Sequence, residues 1–501
     1  MIRTPDGLPL LNLARVKRVV IVGGGTAGWF AALEMRHCFA PSVEVVLIES
    51  DQIGIIGAGE GSIPNFELAL QRYGIDRPEF MHATQATYKL GVCFDGWRGV
   101  ANDRYYHLFS TSREHVSLQD WQEGGFYPLS SKLMGEGFAL DQFPGVRDLV
   151  NRNAGQREVV EHFLCHPKDI FAYHFDARKL AAFLSRTAQE KGVQRVETIV
   201  RNAVCDGAGN VVQLNTDGGP IDGDFFIDAS GFRRVLAEKT LGIGWQSFQK
   251  QLILDSALPF FMPLKGVDPP LTTQSTAMKH GWMWTIPTQG RLGCGYVFSS
   301  SHASEAEILQ ELAAHWGCEV EPVNRLKFSP GRLDRCLQNN VLAVGLASGF
   351  VEPLEATSIA QTLYQLAFFG NLMLHNRRVL PGQVVSRFNA DVVSGWDGIL
   401  DFLVMHYDTR RADTPFWRDA SQAPRPDSYL ALKEVFRFRT PTDTDLIPYQ
   451  MGGVGIFGVP SWECVGSAMG LIPPQVCEQQ LASLDPLSQA RLSAFMRSLG
   501  A

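Results

Sequence analysis

Val19-Val20-Ile21-Val22-Gly23-Gly24-Gly25-Thr26-Ala27-Gly28 is the stretch on which the reading of this chain turns. Four β-branched residues in a row predict a buried strand, the glycines break it, and the alanine-rich run from Thr26 to Ala40 predicts a helix. Val43 to Ile48 then predicts a second strand, which completes a βαβ unit. Gly23 permits the tight turn, Gly25 lets backbone amides approach a pyrophosphate, and Gly28 allows the helix to pack closely. Glu49, at the end of the second strand, can accept the hydroxyls of a ribose. A glycine turn alone is a weak signal. With strand, helix and acid in register it points to an adenine dinucleotide held by Gly23, Gly25, Thr26, Ala27, Gly28 and Glu49.

Two later segments extend this module. Asp224-Phe225-Phe226-Ile227-Asp228-Ala229-Ser230-Gly231 and the strand Asn340 to Val344, turning at Gly345, each repeat an apolar strand that ends in small residues. Three returns of the chain to one long ligand favour FAD over NAD, with Asp228 and Gly345 at its edge. The expected fold class is α/β, Rossmann-like and FAD-binding. The expected partition is a discontinuous FAD module of residues 1–100, 171–250 and 331–384, a substrate-facing module of 101–170 and 251–330, and a helical C-terminal region of 385–501 that completes the substrate site.

Composition narrows the function classes. At 501 residues the chain is long enough for two or three structural units. A net charge of -7 with no run of Lys or Arg offers nothing to a phosphate backbone or an anionic membrane, so small molecules are the expected ligands. Nine scattered cysteines without a CxxC pair fit neither a disulfide framework nor a zinc site, and no metal is expected. No stretch approaches the ~18 apolar residues of a membrane span. The expectation is a soluble, cytoplasmic protein.

Gly281-Trp282-Met283-Trp284-Thr285-Ile286-Pro287 resembles the GWxWxIP signature of the flavin-dependent tryptophan halogenases. Gly59-Glu60-Gly61-Ser62-Ile63-Pro64-Asn65, Ala86-Thr87-Tyr88-Lys89, Tyr106-His107-Leu108-Phe109, Tyr173-His174-Phe175-Asp176 and Phe350-Val351-Glu352-Pro353-Leu354-Glu355-Ala356-Thr357 resemble landmarks of the same family in the same order. They cover roughly residues 18 to 375.

The resemblance implies an FAD-dependent halogenase fold and a set of roles. Reduced FAD and O2 would oxidise bromide or chloride, and the hypohalous acid would pass to Lys89 for halogenation of an indole-like ring. Lys89 and Glu355 would be catalytic, Glu355 orienting the oxidant or taking the ring proton. Thr357 and Ser358, opening a helix whose apolar stripe is Ile359, Leu363, Leu366, Phe369 and Met373, would hold the halide. Many members carry Gly where Ser358 stands, which leaves the halide open. His107 and Phe109 would sandwich the aromatic substrate, and Trp282, Trp284 and Pro353 would stand near the site. Ile56 and Gly57 in the strap from Ile53 to Gly59, with Leu354 and Ile359, would touch the cofactor. A separate NAD(P)H-dependent flavin reductase would supply FADH2, and a homodimer is a further expectation.

Residues 86 to 94 alternate as one strand, with Thr87, Lys89, Gly91 and Cys93 on one face. The Tyr-Tyr-Glu cluster by which free-tryptophan members bind the amino acid is absent. Tyr449, Phe457 and Trp462 stand in that region instead, and Phe457 and Trp462 are expected substrate contacts. Indole, a substituted indole or a larger indole-bearing molecule is expected as a substrate at least as much as free tryptophan. An aromatic hydroxylase and a non-catalytic flavin-binding protein are the competing readings.

Overall fold

A computed structural model of the protein describes residues 10–52, 60–100, 103–109, 146–165, 170–264 and 268–498, with Leu129, Lys132 and Gly266. Ile56 and Gly57 lie outside the described residues.

The β-branched strand Arg18–Val22 lies inside a six-stranded sheet. Glu44–Glu49 and Phe225–Asp228 flank it in parallel, Val341–Ala343 and Gln194–Glu197 follow outside them, and Leu337–Gln338 closes one edge antiparallel. Both faces are covered, which is why these strands read as continuous apolar runs rather than as alternations. Val20, Val46, Ile48, Phe226 and Val341 pack against Val200, Val211 and Leu214 of a small antiparallel sheet formed by 200–222. Val19, Ile21, Val45, Leu47, Phe225 and Ile227 face the main core with the helices Thr26–Cys38, Ala177–Glu190 and Thr357–His375. The strand from Asn340 to Val344 is found as Val341–Ala343, and the first helix stops at Cys38 because Phe39 turns to extended backbone.

A seven-stranded sheet forms the second layer, in the order Leu326–Lys327, Ser256–Pro263, Arg291–Phe298, Gly281–Pro287, Thr272–Met278, Gly91–Asp95, Arg104–Leu108. The sheet takes strands from both sides of the expected boundary at residue 100, and Gly91–Asp95 pairs in parallel with Thr272–Thr276. The single strand expected over 86–94 is therefore two. Thr87–Lys89 belongs to a separate three-stranded sheet with Ala172–Phe175 and Glu60–Gly61, and Leu90 turns the chain by donating its amide to Leu271 O at 2.7 Å.

From Gly382 the chain is mainly helical. The 25-residue helix Gly382–His406 is buried along its second half and brings His406 to the junction of the layers. No helix among the described residues is long and apolar enough to cross a membrane.

The Gly281–Pro287 strand is locked to its neighbour by a size match. Trp284 pairs with Gly295, and a Cβ on Gly295 would lie 2.0 Å from the Trp284 ring. Gly295→Ala is expected to drive the indole out of its rotamer at a cost of about 1–3 kcal/mol. A lowered denaturation midpoint together with a shifted tryptophan emission checks this; unchanged values would mean that the indole has another place to go.

Candidate active site

The strand ends of the parallel sheet converge on a cleft of about 1190 Å³. Gly23, Gly25, Thr26, Ala27 and Glu49 line it together with Ser230, Gly231, Gly345, Ser358 and Ile359, and Gly345 lies against the first helix, where a Cβ on it would come 2.5 Å from Ala27 Cβ. The first helix starts at Gly25 with no side-chain cap, so its amides are open to a ligand. A Cβ on Gly25 would meet nothing within 4 Å, because the residue faces the open cleft. Gly28 lies behind, where a Cβ would sit 1.8 Å from Gly23 O, and it sets how closely helix and turn approach. Glu49 is held by the Arg195 guanidinium, which also reaches Asp51 Oδ1 at 2.9 Å. This chemistry fits a flavin adenine dinucleotide: uncapped amides for the pyrophosphate, an acid for the ribose and a cleft of sufficient volume for the whole molecule.

Asp228, expected at the edge of the cofactor, is not among the residues that line the cleft. Its carboxylate is fully buried and faces away from the cleft, accepting from Leu236 N and Ala237 N at 2.8 Å each and from the Ser230 amide and hydroxyl. It fixes the turn whose Ser230 and Gly231 line the cleft. Leu354 is likewise buried and does not line the cleft, whereas Ile359, expected in the core stripe of its helix, is half-buried and does.

The helix Thr357–His375 separates this cleft from a second, interior group of side chains. Ser358 and Ile359 face the cleft; Glu355 and Thr357 are buried and do not line it. Glu355 (φ 65, ψ 7) and Ala356 (φ 55, ψ 38) both adopt left-handed backbone, and the helix begins without a side-chain cap. Neither is glycine, and such conformations cost about 1–3 kcal/mol each, so the surroundings must impose them. The result is a helix N-terminus with bare amides, suited to an anion. The Thr357 hydroxyl is buried there and has no hydrogen-bond partner among the described residues.

Glu355 is gripped from two sides. His107 Nδ1 lies 2.8 and 2.9 Å from its two oxygens, and His406 Nε2 lies 3.3 Å from Oε1. Burial alone would raise the carboxyl, but the hydrogen-bonded His107, with His406 close beside it, outweighs burial and holds it down at about 2. Glu355 is an anion at neutral pH.

Lys89 is wholly buried. Its ammonium stands 5.3 Å from the Phe109 ring centre and has no hydrogen-bond partner among the described residues. Burial pushes it down to about 8, with Glu355 acting in the opposite direction. His174, beside it, is kept neutral, because burial and then the Lys89 charge push its pKa well below the usual value. A Cβ on Gly61 would approach Lys89 Nζ to 3.1 Å, so the strand Glu60–Gly61 closes over the amine.

The remaining expected residues gather around this pair. The His107 and Phe109 rings are 6.4 Å apart at 74°, which is edge to face. They cannot present two parallel faces to a ring held between them, so the expected sandwich becomes a corner. Phe402 stacks on Phe457 at 3.7 Å and meets Trp462 edge-on at 5.0 Å, extending the same wall. Tyr449 stacks behind Trp462. Trp282 is fully buried and Trp284 nearly so, and neither lines the cleft; Glu352 is buried too, and burial raises its carboxyl to about 8 against a hydrogen bond from the Tyr407 hydroxyl. Pro353 accepts the Ala356 amide at 3.2 Å and so closes the strained turn. His406, Phe402 and Glu352 went unassigned in the sequence reading. Glu352 sat inside a quoted motif, but nothing local to His406 or Phe402 marks them, since both arrive on a helix about fifty residues downstream.

Comparison with known proteins agrees with this geometry. The chain is 34% identical to the uncharacterized protein y4xG of Sinorhizobium fredii, over 98% of this chain and 97% of that one. It is 33% identical to the 7-chloro-L-tryptophan 6-halogenase KtzR of Kutzneria sp., over 87% of each chain. Among solved structures it resembles BrvH, a flavin-dependent halogenase from Brevundimonas sp. BAL3, with a TM-score of 0.77 and 29% identity, covering 97% of this chain and 96% of that one. The family model for tryptophan halogenase matches residues 18–485, nearly the whole chain, and this chain therefore belongs to the tryptophan halogenase family as an FAD-dependent halogenase, an oxidoreductase.

Proposed function

We propose that the protein brominates or chlorinates an electron-rich aromatic, an indole derivative larger or less polar than free tryptophan, through hypohalous acid delivered to Lys89. The observation that carries this reading is the placement of Lys89. Its amine is dry, without a hydrogen-bond partner among the described residues, and absent from the lining of the cofactor cleft.

FAD in the reduced form, with O2, supplies the two-electron oxidation of halide. The chain's own residues do the rest. The bare amides at Thr357 and Ser358 hold the halide at the end of the cleft. The helix and its strained turn keep substrate and cofactor in separate compartments, which favours transfer of halogen over direct oxygenation of the ring. The Lys89 ammonium donates a hydrogen bond to the oxygen of hypohalous acid and so makes the halogen electrophilic. His107, Phe109, Phe457 and Trp462 offer aromatic walls to the substrate. Glu355, ionised and near the same space, accepts the proton that the ring loses after attack. The names of the curated relatives support a tryptophan-like substrate, while the lack of a Tyr-Tyr-Glu cluster favours one without the free amino acid's charges. A separate flavin reductase completes the system.

Lys89→Met is expected to lower halogenated product by about 10²–10⁴-fold while flavin oxidation continues. Mass spectrometry of indoles incubated with a flavin reductase, bromide or chloride reads this directly. Retained halogen isotope doublets would refute the role of Lys89, and a +16 product without halide in the wild type would establish a hydroxylase instead.

The pH profile tests the protonation states. The Lys89 ammonium is present below about 8 and is lost above it, so single-turnover halogenation should fall as pH rises through that value. Glu355, whose pKa is depressed to about 2, stays ionised throughout and should add no acid limb near neutrality. A rate that climbs through pH 8 would instead identify the neutral amine as the halogen carrier.

A further inference from the structure

Glu355 is served by more than His107. The hydroxyl of Tyr105 lies 2.9 Å from His406 Nδ1, and the opposite nitrogen, Nε2, lies 3.3 Å from Glu355 Oε1. All three side chains are buried, His406 completely so. The pair is clamped by aromatic stacking, since Phe94 lies parallel to Tyr105 at 4.7 Å and against the His406 ring at 4.6 Å. We infer that Tyr105 and His406 form a buried positioning relay that fixes the orientation and ionisation of Glu355, an inference that rests on the halogenase reading of Glu355.

The direction of the relay follows from the donors available. Burial, then Glu355, pushes the Tyr105 phenol well above its ordinary range, so Tyr105 keeps its proton and donates it to Nδ1. Burial lowers His406, opposed by the nearby Glu355 carboxylate, so the ring carries one proton only. With Nδ1 accepting, that proton is on Nε2, which faces the carboxylate at 3.3 Å as a charge–dipole contact rather than an aligned hydrogen bond. One hydroxyl therefore selects the tautomer that stabilises the anion. The other charged groups around the relay are His107 and Lys89 at the Glu355 end, and the Arg98–Asp103 pair beside Tyr105, with Arg98 5.7 Å over the phenol ring.

The relay also explains how left-handed backbone at Glu355 persists. His107 comes from the strand Arg104–Leu108 and His406 from the last turn of the helix Gly382–His406, so two separately anchored elements converge on one carboxylate. Without the His406 arm, His107 alone would have to hold a strained residue against rotation.

The test needs no turnover in its first arm. In flavin-free protein, the infrared carboxyl band of Glu355, assigned by difference against Glu355→Gln, is followed with pH. Wild type should show no protonated Glu355 band down to pH 4. Tyr105→Phe, which removes one oxygen, and His406→Phe should both bring the band into roughly the ordinary glutamate range of pH 4 to 6. His406→Gln, whose amide can place an N–H near the former Nε2, should move it back. In the second arm, Tyr105→Phe should lower halogenated product about tenfold and add an acid limb to the pH–rate profile, with flavin oxidation unchanged. His406→Phe that fails to fold leaves Tyr105→Phe and His406→Gln as the deciding pair. A Glu355 titration unmoved in Tyr105→Phe overturns the relay. A wild type that halogenates nothing overturns the reading of the site, and the infrared arm still decides the relay.

Discussion

A carboxylate held between two histidines at the mouth of a bare helix N-terminus organises this protein. Glu355 and Ala356 take left-handed backbone, and the helix Thr357–His375 starts immediately after them with its first amides uncapped. An uncapped, buried N-terminus is costly unless a ligand or a dipole satisfies it. Here the turn has two sides: Ser358 and Ile359 meet the cofactor cleft, while Glu355 meets His107 and His406 in the interior. One turn of chain thus contributes residues both to the cleft and to the buried group around Glu355.

The interior side combines opposite electrostatic solutions to burial. Glu355 stays charged because three nitrogen contacts replace the water it has lost. Lys89 receives no such compensation, and its proton is correspondingly loose. Groups pushed apart in this way can take different parts in one reaction, one as a fixed anion and one as a donor of variable protonation. Glu352, a few residues from Glu355, takes a third course: burial raises its carboxyl to about 8, and Tyr407 bonds to it at 2.6 Å. Sequence proximity says nothing about which state a glutamate adopts; the donors that reach it do.

Aromatic packing gives these groups a rigid frame. Trp284 fits the space left by Gly295, Phe94 stacks against both Tyr105 and His406, and Phe402 stacks on Phe457 beside His107. Such contacts fix ring planes as well as distances. They also decide that His107 and Phe109 form an edge-to-face corner rather than two parallel walls.

Local residue patterns determined a good deal. The glycine turn after Val22 requires a strand before it and a helix after it, because glycine spacing and apolar runs act over a few residues, and the two later apolar strands read the same way. Lys89, Glu355 and His107 could be named from their motifs. What the sequence could not carry was the side on which each group ends up. The alternation over 86–94 cannot reveal that hydrogen bonds to Ala172 and Leu271 divide the segment between two sheets at Leu90. Asp228 looks like a cofactor ligand until the amides of Leu236 and Ala237 are seen to occupy it. His406 becomes meaningful only when a long helix delivers it to Glu355. Propensity and spacing are local properties of the chain, whereas protonation, compartment and partner depend on contacts between residues hundreds of positions apart, which exist only once the core has closed.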